Sequence, residues 1–222
     1  MTDFMSDKMK VEKNSALLIV DMQNDFLPGG ALAVEGGDEI IGGINDIANK
    51  FHDLDYPVVY SQDWHPEDHM SFASQYEDKQ AGDLIESDVL GPVLWPDHCV
   101  QNTQGAEITE KINTKYGSLI IRKGYHREID SYSVFYENDQ ETKTGLAGYL
   151  KDKNIQTIYI CGLALDYCCF FSAMDASKDG FDVVFIKDLT RGIDDPEGNI
   201  EKSLENMNNA GIKIVHQNLI EL

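Results

Sequence analysis

The sequence predicts a three-layer α/β/α domain built on a doubly wound, six-stranded parallel sheet. Short apolar runs rich in β-branched residues recur along the chain, and the stretches between them carry apolar residues at helical spacing. With 222 residues the chain can bury one sizeable core, and at roughly 150 residues per domain it gives no reason for a second, so residues 1–222 read as a single domain. Right-handed crossovers bring the C-terminal ends of such strands to one edge, where open α/β sheets bind their ligands.

The strands, in order, are "SALLIV" (15–20), "YPVVY" (56–60), "SLIIRK" (118–123), "IQTIYICG" (155–162), "FDVVFIKD" (181–188) and "IKIVHQ" (212–217). In "DEIIGGINDIANKFHD" the residues Ile40, Ile41, Ile44, Ile47, Ala48 and Phe51 form one stripe, which predicts a helix after the first strand. Further helices are expected over 105–113, 144–153, 167–178 and 197–209, and residues 1–14 read as a flexible N-terminal extension. The region 63–104 is irregular and rich in Pro, Gly, His and Asp. So long a loop in a compact domain is usually functional.

Composition removes several function classes. With 39 acidic and 18 basic residues the net charge is -21, and no basic run offsets it, so neither nucleic acid nor an anionic membrane is an expected partner. No apolar stretch approaches the roughly 20 residues of a membrane span, and "MTDFMSDKMK" lacks a signal-peptide core, so a soluble cytoplasmic protein is expected. Cys99, Cys161, Cys168 and Cys169 show no framework spacing and read as free thiols. A dinucleotide site is also disfavoured. The first strand runs into Asp21 where a glycine-rich phosphate turn should begin, and Gly29 and Gly30 come too late.

Chemistry gathers at the strand ends. Asp21 closes the first strand, Asp63 and His65 follow the second, Lys123 closes the third and Cys168 lies just beyond the fourth. Singly, each has an ordinary reading as a turn acid, a polar loop, a solvated strand end or a small core residue. Four reactive groups on one ligand-binding edge are poorly explained that way. Asp63 and His65 are two apart in extended chain, so both side chains can be directed at one point, a geometry that suits Zn, Fe or Mn. The same stretch also fits a plain polar loop. Among the thiols, Cys168 falls in the first turn of a helix that Asp166 can cap, where free N–H groups and the helix dipole favour a thiolate. Cys169 is expected in the core, Cys161 in a buried strand and Cys99 in loop packing, with Asp21 and Lys123 able to serve Cys168 as proton acceptor and cation.

The motifs "LLIVDMQNDFLPGGAL", "SQDWHPEDHMSFAS", "LWPDHCVQNTQGAE", "RKG" followed by "DSYSVF", and "CGLALDYC" resemble those of nicotinamidases in the isochorismatase-like cysteine hydrolase superfamily, in order from about residue 15 to 195. That resemblance implies the isochorismatase-like hydrolase fold and conversion of nicotinamide to nicotinate and ammonia through a thioester, in NAD salvage, with pyrazinamide as a further substrate. It implies a catalytic triad of Asp21, Lys123 and Cys168 and an oxyanion hole from the Ala164 and Cys168 N–H groups, next to a cis peptide at Leu163–Ala164. It implies one divalent metal ion, zinc with iron or manganese as alternatives, on Asp63, His65 and His98. His69 stands as either a further ligand or a residue behind the ligands. Phe26, Trp95, Leu163, Tyr132 and Tyr167 are the implied substrate-binding residues, and a homo-oligomer is compatible with the family. Leu165 stands where many relatives carry Thr. His52, His126 and His216 match no motif. Rival readings are another amide hydrolase of the superfamily and a non-catalytic metal- or ligand-binding member.

Overall fold

The computed structural model describes residues 8–222. Its main sheet has six strands: β2 (Ser15–Val20), β3 (Val58–Asp63), β4 (Leu119–Lys123), β5 (Thr157–Leu163), β6 (Asp182–Arg191) and β7 (Lys213–Val215). They lie in the order β4-β3-β2-β5-β6-β7, and every pairing is parallel. The expected doubly wound sheet is therefore present. The chain runs outward from β2 in one direction and then from β5 in the other, so the switch point lies between these two strands.

Each face of the sheet has its own core, divided by the period-2 alternation of the strands. Leu17 and Ile19 of β2 pack with Ile41, Ile44, Ile47, Ala48 and Phe51 of α1 (Ile41–Asp53), the stripe read from the sequence. Ala16, Leu18 and Val20 face the other way. There they meet Leu146 and Leu150 of α2 (Leu146–Asp152), Ala173 and Ala176 of α3 (Phe170–Lys178), and Met207 of α4 (Asn199–Asn209). All six residues of β2 are buried, as a central parallel strand covered on both faces requires.

The expected helix over 105–113 does not form. Its backbone groups are instead spent on the segment after β2: Asn24 N–H donates to Glu107 O at 3.0 Å, Asp25 N–H to Gly105 O at 3.0 Å, and Thr109 N–H to Met22 O at 2.9 Å. Helical i→i−4 bonding cannot compete once tertiary partners hold these groups.

The expectation of a flexible segment over 1–14 falls partly on residues 1–7, which lie outside the described residues. Beyond them, β1 (Met9–Lys10) pairs with β8 (Ile220–Glu221) as a small parallel sheet, and Val11 is buried. Among the described residues no helix is long and apolar enough to cross a membrane.

Candidate active site and metal centre

Register and turn chemistry bring the strand-end residues together. Asp63 of β3 pairs directly with Lys123 of β4, so their side chains leave the sheet on the same face. Asp21 follows β2 in a left-handed conformation, φ +46°, and is tied to β3 by Ser61, whose hydroxyl donates to Asp21 Oδ1 at 2.6 Å. Lys123 is fully buried. Its ammonium donates to Asp63 Oδ1 at 2.5 Å and Ser131 O at 2.7 Å, and lies 3.4 Å from Cys168 Sγ and 3.0 Å from Asp21 Oδ2.

Cys168 stands apart from the other thiols. All four cysteines are free, but Cys99, Cys161 and Cys169 are 0% exposed while Cys168 retains 7% and lines an internal cavity. It sits in a wide turn over Leu165–Cys169 that leads into α3. The Ala164 carbonyl accepts from the Tyr167 and Cys169 N–H groups at 3.2 and 3.0 Å, the second an i→i+5 bond of the kind common at functional sites. The Leu163–Ala164 peptide is cis, as the resemblance implied.

Two expectations about this turn are corrected. Asp166 does not cap the helix: its carboxylate accepts the Ile193 and Asp194 N–H groups, each at 2.9 Å, and so fastens the β6–α4 connection over the site. Nor is a resting thiolate favoured. Burial raises the Cys168 thiol well above its ordinary value, and Asp21 and Asp63 oppose the thiolate while Lys123 favours it. A reaction at this thiol would need a group to take its proton. Asp21 is the candidate acceptor at hand: its Oδ2 meets only the Lys123 ammonium, at 3.0 Å, and one of its carboxylate oxygens lies within 4.8 Å of the sulfur. Burial leaves Asp21 above the usual carboxyl value despite Lys123.

The metal-ligand candidates lie beside this group. Asp63 Oδ2 is 3.6 Å from His65 Nε2 and 3.9 Å from His98 Nε2. His98 returns to His65 across 33 positions because the long loop pairs with itself, His65 N–H donating to Cys99 O at 3.1 Å and Gln101 N–H to His65 O at 2.8 Å. The Nδ1 atoms contact carbonyls, Gly124 O for His65 at 2.7 Å and Pro96 O for His98 at 2.8 Å. A carbonyl only accepts, so each Nδ1 carries a proton and each Nε2 faces Asp63. Burial opposes a second proton on His65, but Asp63 raises its value above the ordinary imidazole one, so a cation at Nε2 would displace that proton. Burial pushes His98 down to about 4, helped by His65, which keeps it in the neutral ligand form. Burial disfavours a charged Asp63, yet Lys123, His65 and His98 together hold it well below the carboxylate range. One oxygen and two imidazole nitrogens within 4.8 Å of one another fit a small divalent cation.

His69 is placed behind His65, with ring centroids 4.4 Å apart. Its Nε2 faces Ile129 O at 3.3 Å and its Nδ1 meets the Ser71 hydroxyl at 2.7 Å, so both ring nitrogens already have partners. Phe26, Trp95, Tyr132, Tyr167 and Ala164 line the cavity with Cys168, Asp63 and His98. Trp95 Nε1 donates to Tyr132 Oη at 3.1 Å, and Trp95 meets Tyr167 edge-on at 5.0 Å. Leu163 does not line it. As an alternate residue of β5 it points into the α1-side core and is fully buried. None of His52, His126 and His216 lines the cavity, and the His126 ring pairs with Glu137 at 2.6 Å.

The sequence reading missed Gln23 and Asp130. Gln23 is fully buried and clamps β2 to β3, accepting Asp63 N–H at 2.8 Å while its amide donates to Asp63 O and Ala106 O at 2.8 and 2.9 Å. Only its place two residues after Asp21 could have marked it.

The isochorismatase domain model matches residues 15–218, nearly the whole described chain. The chain belongs to the isochorismatase family. Within that family it is similar to a nicotinamidase of Acinetobacter baylyi, 47% identical over 93% of this chain and 94% of that one. Among solved structures of the family it resembles an Acinetobacter baumanii nicotinamidase/pyrazinamidase, with TM-score 0.88 and 46% identity over 92% of this chain and 97% of that one. It also resembles a Pyrococcus horikoshii pyrazinamidase in complex with zinc, with TM-score 0.75 and 38% identity over 91% of this chain and 99% of that one. The resemblance drawn from the five motifs is thus borne out, and with it the fold class.

Proposed function

We propose that this protein is a metal-dependent cysteine amidohydrolase that converts nicotinamide to nicotinate and ammonia, and that pyrazinamide is a further substrate. The observation that carries the reading is the buried contact of Lys123 Nζ with Asp21, Asp63 and Cys168 beside a cation-ready trio. The nicotinamidase and pyrazinamidase relatives support the substrate class. An aromatic-walled cavity that ends on the thiol suits a flat ring bearing a carboxamide.

In the first half-reaction Asp21 takes the thiol proton as Cys168 Sγ bonds to the carboxamide carbon, and the ammonium of Lys123 offsets the charge that builds on sulfur. The Ala164 and Cys168 N–H groups receive the oxyanion. As the C–N bond breaks, Asp21 returns the proton to nitrogen and ammonia leaves. In the second half Asp21 takes a proton from water, the hydroxyl bonds to the acyl carbon, the C–S bond breaks and the proton returns to sulfur. Asp63, His65 and His98 would hold a divalent cation, zinc with iron or manganese as alternatives, whose chemistry is Lewis-acid binding of the ring nitrogen. The reading places the enzyme in NAD salvage in the cytoplasm.

The test is ammonia release from nicotinamide by the purified protein, before and after chelation and with Zn2+ or Mn2+ added back. Release should be lost on chelation and regained with the cation. Cys168→Ala should lower turnover by at least about 10^4-fold with cation binding retained. Undiminished release from C168A would overturn the reading.

A further inference from the structure

Asp130 is a buried carboxylate that the reaction above does not use. It is 2% exposed, and it lines the same cavity as Asp63, His98 and Cys168. Its Oδ1 accepts the Ser131 N–H at 2.7 Å. Among the described residues no side chain donates to its Oδ2 and no lysine or arginine pairs with it. Its carboxylate lies within 4.8 Å of ring nitrogens of His65 and His69, grouping with these rather than with Asp63 and His98. Burial raises Asp130 above the ordinary carboxyl value, with His65 opposing, so its charged form is costly unless a counter-charge reaches it.

The local charge count shows what is lacking. Asp21, Asp63 and Asp130 are three buried carboxylates, and Lys123 is the one buried ammonium among them. With all three ionised and both histidines neutral, as cation ligation requires, the excess is two negative charges, which one divalent cation on Asp63, His65 and His98 would neutralise. Without Asp130 the same cation would leave the pocket with a net positive charge. The protein holds Asp130 firmly: its N–H donates to Val89 O at 2.9 Å and its carbonyl accepts from Asn138 N–H at 2.8 Å. These bonds hold its main chain and the Ser131 N–H holds its Oδ1, and none of them depends on a cation.

We infer that Asp130 is the charge-balancing residue of the divalent site: it does not join the three ligands, and it strengthens cation binding by completing a matched pair of negative charges. The inference rests on the metal reading under Proposed function.

The experiment is direct titration of cation-stripped protein with Zn2+ and, separately, Mn2+, without substrate, on the wild type and on Asp130→Asn, Asp130→Ser, Asp130→Glu and His98→Ala. Asp130→Asn keeps the shape and the Ser131 contact while removing the charge, and it should weaken both cations about 10- to 100-fold. Asp130→Glu should recover most of that loss, which a purely structural role would not give. Circular dichroism and thermal midpoints of the stripped proteins report whether each variant is folded, and Asp130→Ser stands in if the Asn variant is not. Binding by the folded neutral variants within about threefold of wild type would overturn the inference, as would failure of the Glu variant to recover affinity. Wild-type affinity in His98→Ala would instead remove the ligand assignment, so the two failures are separable.

Discussion

Lys123 sits in a concentrated electrostatic cluster, because burial alone would discharge it and two carboxylates hold it charged. Burial opposes its charge, but Asp21 and Asp63 raise its proton affinity well above the ordinary lysine value. Lys123→Met leaves both carboxylates buried without their cation, so a loss of about 3–5 kcal/mol in urea-unfolding stability is expected. A change below about 1 kcal/mol would mean that Asp21 and Asp63 have other partners. Asp21 gives a pH prediction from the same cluster. It must be ionised to take the thiol proton, and burial raises its value, so activity should fall as pH drops through a point above the ordinary carboxyl value of about 4. The check is the acid limb of kcat/KM for nicotinamide: a limb at or below about 4 would exclude Asp21 as the base.

At the level of elements, β5 and the wide turn after it decide where Cys168, the proposed nucleophile, stands. Gly162 lies in β5 at φ +114°, and a Cβ there would run into the Val20 carbonyl, with Val20 N also only 2.6 Å away. β2 and β5 flank the switch point, so neither strand can move aside without disturbing Asp21. Gly162→Ala should therefore cost about 3 kcal/mol and lower turnover as well, checked by urea unfolding and ammonia release. Stability within about 0.5 kcal/mol of wild type would show that the strands can part. The Asp166 contacts act at the same level, since one carboxylate fixes both Ile193 and Asp194 N–H groups from the turn that carries Cys168.

For the whole molecule, 39 acidic residues against 18 basic ones produce a self-repelling surface, and few ion pairs among the described residues offset it at close range. Added salt screens that repulsion, with a Debye length of about 10 Å at 0.1 M and about 3 Å at 1 M. The thermal midpoint should rise by several degrees between about 10 mM and 1 M NaCl. The buried cluster of Lys123, Asp21 and Asp63 is 0–4% exposed and should not offset this gain, since buried pairs are screened far less. A flat or falling midpoint would show that surface repulsion contributes little to stability.

The sequence by itself determined the sheet and most of the reactive set. Each strand of β2–β7 shows as a short β-branched run, α1 shows as a 3.6-residue stripe, and Asp21, Asp63, His65, Lys123 and Cys168 stand at strand ends, where local spacing is enough to read them. His98 was reached only through its motif, because 33 positions separate it from His65 and only the fold of the long loop closes that gap. Tertiary structure alone decided the rest. Residues 105–113 look helical but give their backbone bonds to the segment after β2, and Asp166 looks like a cap but reaches across to the β6–α4 connection. Leu163 is near the nucleophile in sequence, yet strand alternation turns it into the core. Gln23 and Asp130 lie inside two of the quoted motifs but carry no periodic signal, because what distinguishes them is burial and long-range partners. The thiol of Cys168 belongs here too: a helix start favours a thiolate locally, while burial beside two carboxylates pushes its value up.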